Sequence, residues 1–373
     1  MTQRRIRAVY MRGGTSRCLV FHEEDLPPAG PERDRILLAA LGSPDPYGRQ
    51  LNGLGGGISS LSKACIIGPS THPEAQVDYT FAQVEVKLAS VDYAGNCGNC
   101  SSAVGPFAID EGLVLVTPGE TEVRIHNTNT KKLIVAHVPV KDGEAAVDGD
   151  FELPGVAGRG ARIALDFVDP GGAGTGRLLP SGNARDVIAD VEASMVDATN
   201  PFVFVRARDL GLTGCETPQA IDADRALSER LETIRVEAGK RMGLVGSAAV
   251  PKIALVAPPE TYTSLDGSAI DGQSIDIVAR VISMGNCHRA IPLTGAMCLA
   301  VAAEIDGSVV HECARRPHGD VRLGHPSGVL PIAAGLSTRA GEPWAERVTV
   351  YRTARWLRCM SRLSRGPAGA FGW

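Results

Sequence analysis

The sequence predicts an α+β fold in two domains, and three observations carry that expectation. Short apolar runs suited to strands outnumber helical patterns. Glycine (43) and proline (24) are frequent, so the chain turns often. A Gly-Asn-Cys step precedes a small-residue apolar helix twice, at 95–97 and again at 285–287, the helices ending AIDEG and AEIDG. The spacing from cysteine to closing glycine differs between the two, so the echo suggests an old duplication of one α+β unit rather than a strict repeat. With 373 residues, the chain has room for two domains of ordinary size.

The elements follow in order. Strand-like runs fall at 7–10, 19–21, 65–67, 80–86, 113–116, 122–126, 133–139 and 161–167. Later runs fall at 202–206, 252–256, 275–283 and 348–352. Helical patterns cover 32–41, stopped by Gly42, and 101–111, closed by Gly112. A long helix is expected over 218–239 and an apolar one over 295–305. Residues 171–187, GGAGTGRLLPSGNARDV, form a loop by composition and are suited to a domain crossover.

Composition narrows the function. A net charge of −4 gives no reason to expect nucleic acid or an anionic membrane as partner. The start, MTQRRIRAVYMRGG, lacks the apolar run of a signal peptide. The most apolar stretch, 290–303, contains Pro292 and is too short to span a bilayer. Nine cysteines, odd in number and irregular in spacing, suit free thiols in a reducing compartment, so a cytoplasmic protein is expected.

The motifs lie at turns. Residues 92–112, DYAGNCGNCSSAVGPFAIDEG, follow a strand-like run, and their Asn and Gly residues permit a tight turn. Ser101 or Ser102 suits the N-cap of the helix that follows. Cys97 then stands near a helix N-terminus, where free N–H groups and the dipole lower a thiol's pKa and attract carboxylates. Taken alone, Cys97 reads more simply as a structural cysteine in a glycine turn. Cys97-x-x-Cys100 has no second CxxC or HxxxH to complete a zinc site, so no metal is expected. A redox pair would want a βαβ context, which is absent.

Residues 48–67, GRQLNGLGGGISSLSKACII, match neither GxxxxGK[ST] nor GxGxxG, so no nucleotide cofactor is expected. Ser59, Ser60 and Ser62 offer donors for carboxylates, and Lys63 leads into an apolar run. A lysine at the mouth of a strand that loses part of its solvation suits a general base, although an exposed lysine beside a flexible loop is the plainer reading. MRGGTSR at 11–17 carries Thr15 and Ser16 on a Gly-Gly turn. Thr294 and Gly295 open the second apolar helix, and GHPSGV at 324–329 is a turn with His325 and Ser327. Such turns recurring at strand ends and helix starts suit a cofactor-free site for a small polycarboxylate.

Several of these stretches together are similar to one known family. MRGGTS, GSPDPYGRQLNGLGGGISSLSK, QVDYTFAQVEV, GNCGN with AVGPFAI, PSGNARDV, HRAIPLTGA and HPSG resemble the PrpF family, in family order from about residue 5 to 355. That family includes 2-methylaconitate cis–trans isomerase and aconitate, methylitaconate and oxalomesaconate isomerases. The resemblance implies a diaminopimelate-epimerase-like fold. Such a fold has two pseudo-symmetric α+β domains, each a sheet curled around a central helix, with the active site in the interdomain cleft. The chain's end returns to the first domain in such folds, which implies domains of 1–183 plus 345–373 and of 184–344. The implied chemistry is a cofactor-independent proton shift in an unsaturated di- or tricarboxylate, with the allylic carbanion reprotonated elsewhere or after rotation.

By the same resemblance Lys63 matches the base lysine and Cys97 the thiol facing it, either as second acid–base group or as a positioning residue. Thr15, Ser16, Ser60, Ser62, Asn96, Gly98, Asn99, Thr294, Gly295, Ser327 and Gly328 are candidates for carboxylate contacts, with His288 and Arg289 as charge partners. The expected partner is a small polycarboxylate, with a homodimer or homotetramer as assembly. Two departures stand out. Arg17–Cys18 occupies positions where many relatives have Lys–Gly, and the tail RWLRCMSRLSRGPAGAFGW is unlike the usual family ending. An amino-acid epimerase of the same fold would want a cysteine at the second helix start, where Thr294 and Gly295 stand. A non-catalytic carboxylate-binding protein, or a redox or zinc protein using Cys97 and Cys100, is the remaining alternative.

Overall fold

The computed structural model describes residues 5–93, 96–245, 250–283, 285–315 and 320–359. The atypical tail from residue 360 and Gly95 of the glycine turn lie outside the described residues. The chain divides into two compact units, one of residues 1–151, 158–163 and 352–373, the other of 152–157 and 164–351. The chain passes between the units over 151–164 and again at 351–352.

The first unit begins with a hairpin of β1 (Val9–Gly13) and β2 (Ser16–His22), in register from Val9↔Val20 to Gly13↔Ser16. Its two-residue loop is Gly14–Thr15, and Gly14 takes φ +54°, a value that favours glycine. Helix α1 (Pro31–Leu41) leads to β3 (Lys63–Pro69), which lies parallel to β2. β4 (Val77–Val84) then pairs antiparallel with β3. Helix α2 (Gly98–Asp110) forms the crossover to β5 (Gly119–Asn127), parallel to β4, and β6 (Lys132–Lys141) returns antiparallel to β5. Parallel neighbours require such crossovers, which is why both helices fall where they do.

α2 is buried along nearly its whole length and packs on β1 to β6, so the sheet wraps around it. Its residues are small because the strands come close: a Cβ on Gly105 would stand 2.7 Å from Val138 Cγ2. Phe107 is its one large apolar anchor, fully buried and contributing about 1.5–3 kcal/mol.

The second unit repeats this plan. β7 (Val191–Ala198) pairs antiparallel with β8 (Asn200–Arg206), and β8 lies parallel to β9 (Lys252–Ala257) after helix α3 (Arg225–Arg241). β10 (Ile277–Ser283) is antiparallel to β9, and helix α4 (Leu293–Glu304) crosses to β11 (Val321–His325), parallel to β10. β12 (Gly328–Arg339) and β13 (Glu342–Arg352) follow in antiparallel order. A last strand, β14 (Ala354–Cys359), returns to the first unit and pairs antiparallel with β1. The order antiparallel, parallel, antiparallel, parallel, antiparallel is the same in both units, with the buried helix in the same crossover. No helix among the described residues is long and apolar enough to cross a membrane.

Some expected elements differ. Residues 113–116 form no strand, and Leu115 is 92% exposed. The long helix expected over 218–239 is broken at Asp224, whose carboxylate accepts the Leu227 N–H at 2.9 Å and so caps a new helix. β7 was hidden by polar letters. Its Asp197 accepts N–H bonds from Gly174 (2.8 Å) and Thr175 (2.6 Å), and Ser194 donates to the Ala184 carbonyl, which lets both lie fully buried.

Candidate active site

The helix α2 starts at Gly98, three residues before the expected start, and its N-cap is Cys97 itself. The Cys97 Sγ accepts the Cys100 N–H at 3.4 Å, while Ser101 and Ser102 lie inside the helix, fully buried. The expectation of a serine cap is thereby corrected: the sulfur takes that place. Asn96 is tied to the same turn, its Oδ1 accepting the Ser101 hydroxyl at 3.3 Å. The expected fall in the thiol's pKa is also corrected. A bond with the Cys100 thiol and burial push Cys97 well above the ordinary range, and the pull of Lys63 and of the helix N–H does not outweigh them. Cys97 is thus a protonated thiol at neutral pH.

Lys63 is the first residue of β3 and is 8% exposed, so it is not the solvated loop lysine of the plainer reading. Its Nζ donates to Gln83 Oε1 at 2.5 Å and lies 5.1 Å from the centre of the Phe81 ring. The register of β3 and β4 sets Lys63 opposite Gln83. Gln83 in turn donates to the Ser62 carbonyl at 2.9 Å, so the amine is held by a side chain that is itself held. Ser62 is fully buried, donating to the Val84 carbonyl at 2.9 Å and accepting from Gln50 at 2.7 Å. Its hydroxyl supports the loop rather than facing a ligand. Ser60 is half-buried in the short turn Ser59–Leu61.

The hairpin turn meets the start of α2. A Cβ on Gly13 would stand 2.7 Å from the Asn99 carbonyl oxygen, and one on Gly14 2.3 Å from Asn99 Oδ1. Both glycines therefore exist for close approach. Asn99 donates to Thr15 Oγ1 at 3.1 Å, and Thr15 is exposed while Ser16 is buried. Arg352 Nε donates to Asn99 Oδ1 at 3.1 Å. Burial lowers the Arg352 pKa to about 10, with the Cys97 sulfur acting in the opposite direction. Arg12 fastens the turn from below, donating at 2.9 Å to the carbonyls of Gly14 and Thr353. Asn96, Cys97, Gly98, Asn99 and Thr15 are thus gathered at one end of the first unit, and Lys63 opens the strand β3 on which α2 packs.

Gln83 and Arg352 were not foreseen. Gln83 had a signal in the pairing of two adjacent strands. Arg352 had none, because its strand lies some 250 residues from Asn99 in sequence, as their separation of 253 shows.

In the second unit, Thr294 and Gly295 lie in the first turn of α4, whose N-cap is Pro292. The Thr294 carbonyl accepts from Thr199 Oγ1 at 3.0 Å, and a Cβ on Gly295 would stand 2.6 Å from Phe202 Cζ. Ser327 donates to the Arg289 carbonyl at 2.6 Å, and Arg289 is paired with Asp222 at 3.1 Å. His288 is exposed, with Nδ1 accepting the Ala290 N–H at 3.1 Å. Gly328 offers its carbonyl to the Tyr262 hydroxyl at 3.1 Å. Arg289 and Ser327 are therefore drawn together, with Gly328 next along the chain. A cavity of about 310 Å³ in this unit is lined by Ile221, Leu231, Ile253, Ile282 and Cys287 and takes in none of the candidates.

Comparison with known proteins places the chain in a family. The family described as PrpF protein matches residues 3–362. A 3-methylitaconate isomerase of Eubacterium barkeri is 43% identical over 368 residues, covering 95% of each chain. A 2-methyl-aconitate isomerase of Shewanella oneidensis is 40% identical over 379 residues, covering 95% of this chain and 96% of that one. A crystal structure of a methylitaconate-delta-isomerase matches with a TM-score of 0.89 at 42% identity, covering 96% of this chain and 95% of the other. The fold is the diaminopimelate-epimerase-like one expected from the sequence.

Proposed function

The chain belongs to the PrpF family, and from that premise we propose that it is a cofactor-independent isomerase of small unsaturated di- or tricarboxylates. The observation that carries the proposal is the pairing of a buried lysine with a protonated thiol. Lys63 opens β3 and Cys97 caps α2, and these two elements pack on each other within the first unit.

The roles follow from these states. The Lys63 amine takes a proton from the carbon next to the conjugated carboxylate, and the electron pair moves into the allylic system and its carboxylate oxygens. N–H groups of the first turn of α2 and the Asn99–Thr15 pair are the donors assigned to the developing oxyanion. The Cys97 S–H then delivers a proton to the other end of the allylic system, or to the same carbon after rotation about a bond that is single in the carbanion. The first route moves the double bond and the second changes its geometry. The thiolate left behind recovers its proton from the lysine side, which restores both groups.

Among substrates, 2-methylaconitate is the first choice, followed by aconitate, methylitaconate and oxalomesaconate. Identities of 43% and 40% to relatives with different names do not separate them. One methyl group in an apolar pocket is worth only about 1–3 kcal/mol, so small changes in lining decide the choice. A homodimer or homotetramer in the cytoplasm completes the reading, and light scattering tests the assembly. The deciding experiment is proton NMR in D2O with that panel and no added cofactor. Isomerisation or deuterium wash-in at an allylic carbon, lost in Lys63→Ala, is the expected result. A folded protein that binds the panel without exchange would overturn the proposal in favour of a carboxylate-binding protein.

A further inference from the structure

Cys100 is not a solitary packing residue. Its sulfur meets those of Cys18 on β2 and Cys65 on β3, all three within 4.8 Å of one another. The parallel pairing of β2 with β3 sets Val20 beside Cys65, and α2 lays Cys100 across the pair. Each of the three is fully buried and none is in a disulfide. The Cys65 sulfur has one further polar neighbour, the Tyr79 hydroxyl at 4.0 Å.

We propose that Cys18, Cys65 and Cys100 form a site for a soft divalent cation of the zinc type, and that Cys97, whose sulfur lies outside that group but accepts the Cys100 N–H at 3.4 Å, moves in to close it as fourth ligand. With metal–sulfur bonds of about 2.3 Å, sulfurs around such an ion stand about 3.8–4.0 Å apart, which the cluster reaches with little movement. A donor set made of sulfur selects soft ions and rejects magnesium and calcium. Entry runs through Cys97, which is only partly buried and is bonded to Cys100, so an ion captured there passes inward by ligand exchange. The balance is M²⁺ plus four thiols giving a complex of charge −2 and four released protons. Arg352, bonded to Asn99 in the first turn of α2, and Lys63 at the head of β3 are cations of the same unit that offset part of that charge.

The ion is an inhibitor here, since it removes the thiol proton that isomerisation uses. This consequence rests on the function proposed above, whereas binding does not. The test uses the reduced, chelator-treated full chain. Zinc is titrated in competition with a chromophoric chelator, and the cadmium-loaded protein is examined by X-ray absorption. One equivalent bound, an all-sulfur shell, and loss of binding in Cys18→Ala and in Cys65→Ala, with turnover retained in both, are expected. Unchanged zinc binding in both variants would place the ion on Cys97 and Cys100 alone and overturn the proposal. So would a shell containing nitrogen or oxygen, or no binding at all. The absorption shell is read on the unmutated protein, so a variant that fails to fold does not spare the proposal. Zinc bound as described by a metal-free protein that shows no turnover would sink the isomerase and leave this site standing.

Discussion

The two units follow one plan and differ at its most sensitive point. In each, the third strand, which lies parallel to the second, opens with lysine, Lys63 on β3 and Lys252 on β9. In the first unit the helix is capped by a thiol, in the second by Pro292, which brings no capping side chain. The edges are also matched. Asp78 faces His126 across the parallel pair β4–β5, and Asp276 binds Arg322 just ahead of the parallel pair β10–β11. The two units share their pairing order and an acidic clamp. Under the proposed function, acid–base chemistry belongs to the first unit alone, because a proton shift needs a lysine and a proton-bearing sulfur together and of the two buried helices only α2 carries a thiol at its N-cap.

The largest effect tests that asymmetry directly. Lys63→Ala should lower turnover by about 10³-fold, within the usual range for loss of a general base, without altering the unfolding curve. Lys252→Ala, which removes a lysine whose pKa burial lowers, should keep most of the turnover. Equal losses in the two variants would break the comparison.

Cys97→Ser should cost about 10²-fold in kcat. It should also change the pH profile. A raised pKa keeps the thiol protonated through neutral pH, so activity that depends on its proton falls only as pH rises above the usual thiol value of about 8.5. That alkaline limb should vanish in the serine variant, and its survival would assign it to another group.

The acidic clamps differ less. Asp276 is fully buried and receives two guanidinium bonds, so Asp276→Asn should cost about 2–3 kcal/mol in urea unfolding. Asp78 is held by Thr71, Ser70 and His126, and Asp78→Asn should cost about 1–2 kcal/mol. In both carboxylates, burial is the largest single influence and raises the pKa, but the bonds together bring it below the ordinary value. Their contribution is therefore full above the unfolded value of about 3.9 and is lost as pH falls through the lower folded values. Stability should be flat from pH 7 to 5 and drop below pH 4, with the drop reduced in the double variant.

Most of this was legible in the residues that repeat locally. The strands of alternating or continuous apolar letters, the glycine turns at Gly13–Gly14 and the helix starts near Cys97 and Thr294 all announce themselves within a few positions. The role of Lys63 and Cys97 came through resemblance rather than from spacing. What stayed hidden depends on distant partners. β7 looked too polar until Asp197 and Ser194 found their donors and acceptors. The meeting of Cys18, Cys65 and Cys100 depends on strand register, and Arg352 reaches Asn99 across 253 positions.

That last separation bears on how the protein is born. β1 lies next to β14, so the sheet around α2 is completed by Ala354–Cys359 at the far end of the chain. During synthesis the amino-terminal portion emerges first but lacks its closing strand and the arginine beside Asn99. The intervening portion, 164–351, holds β7 to β12 of the second unit and is free to finish earlier. A nascent chain stalled before residue 352 should therefore protect the later-made unit from protease while leaving the earlier-made one open to it.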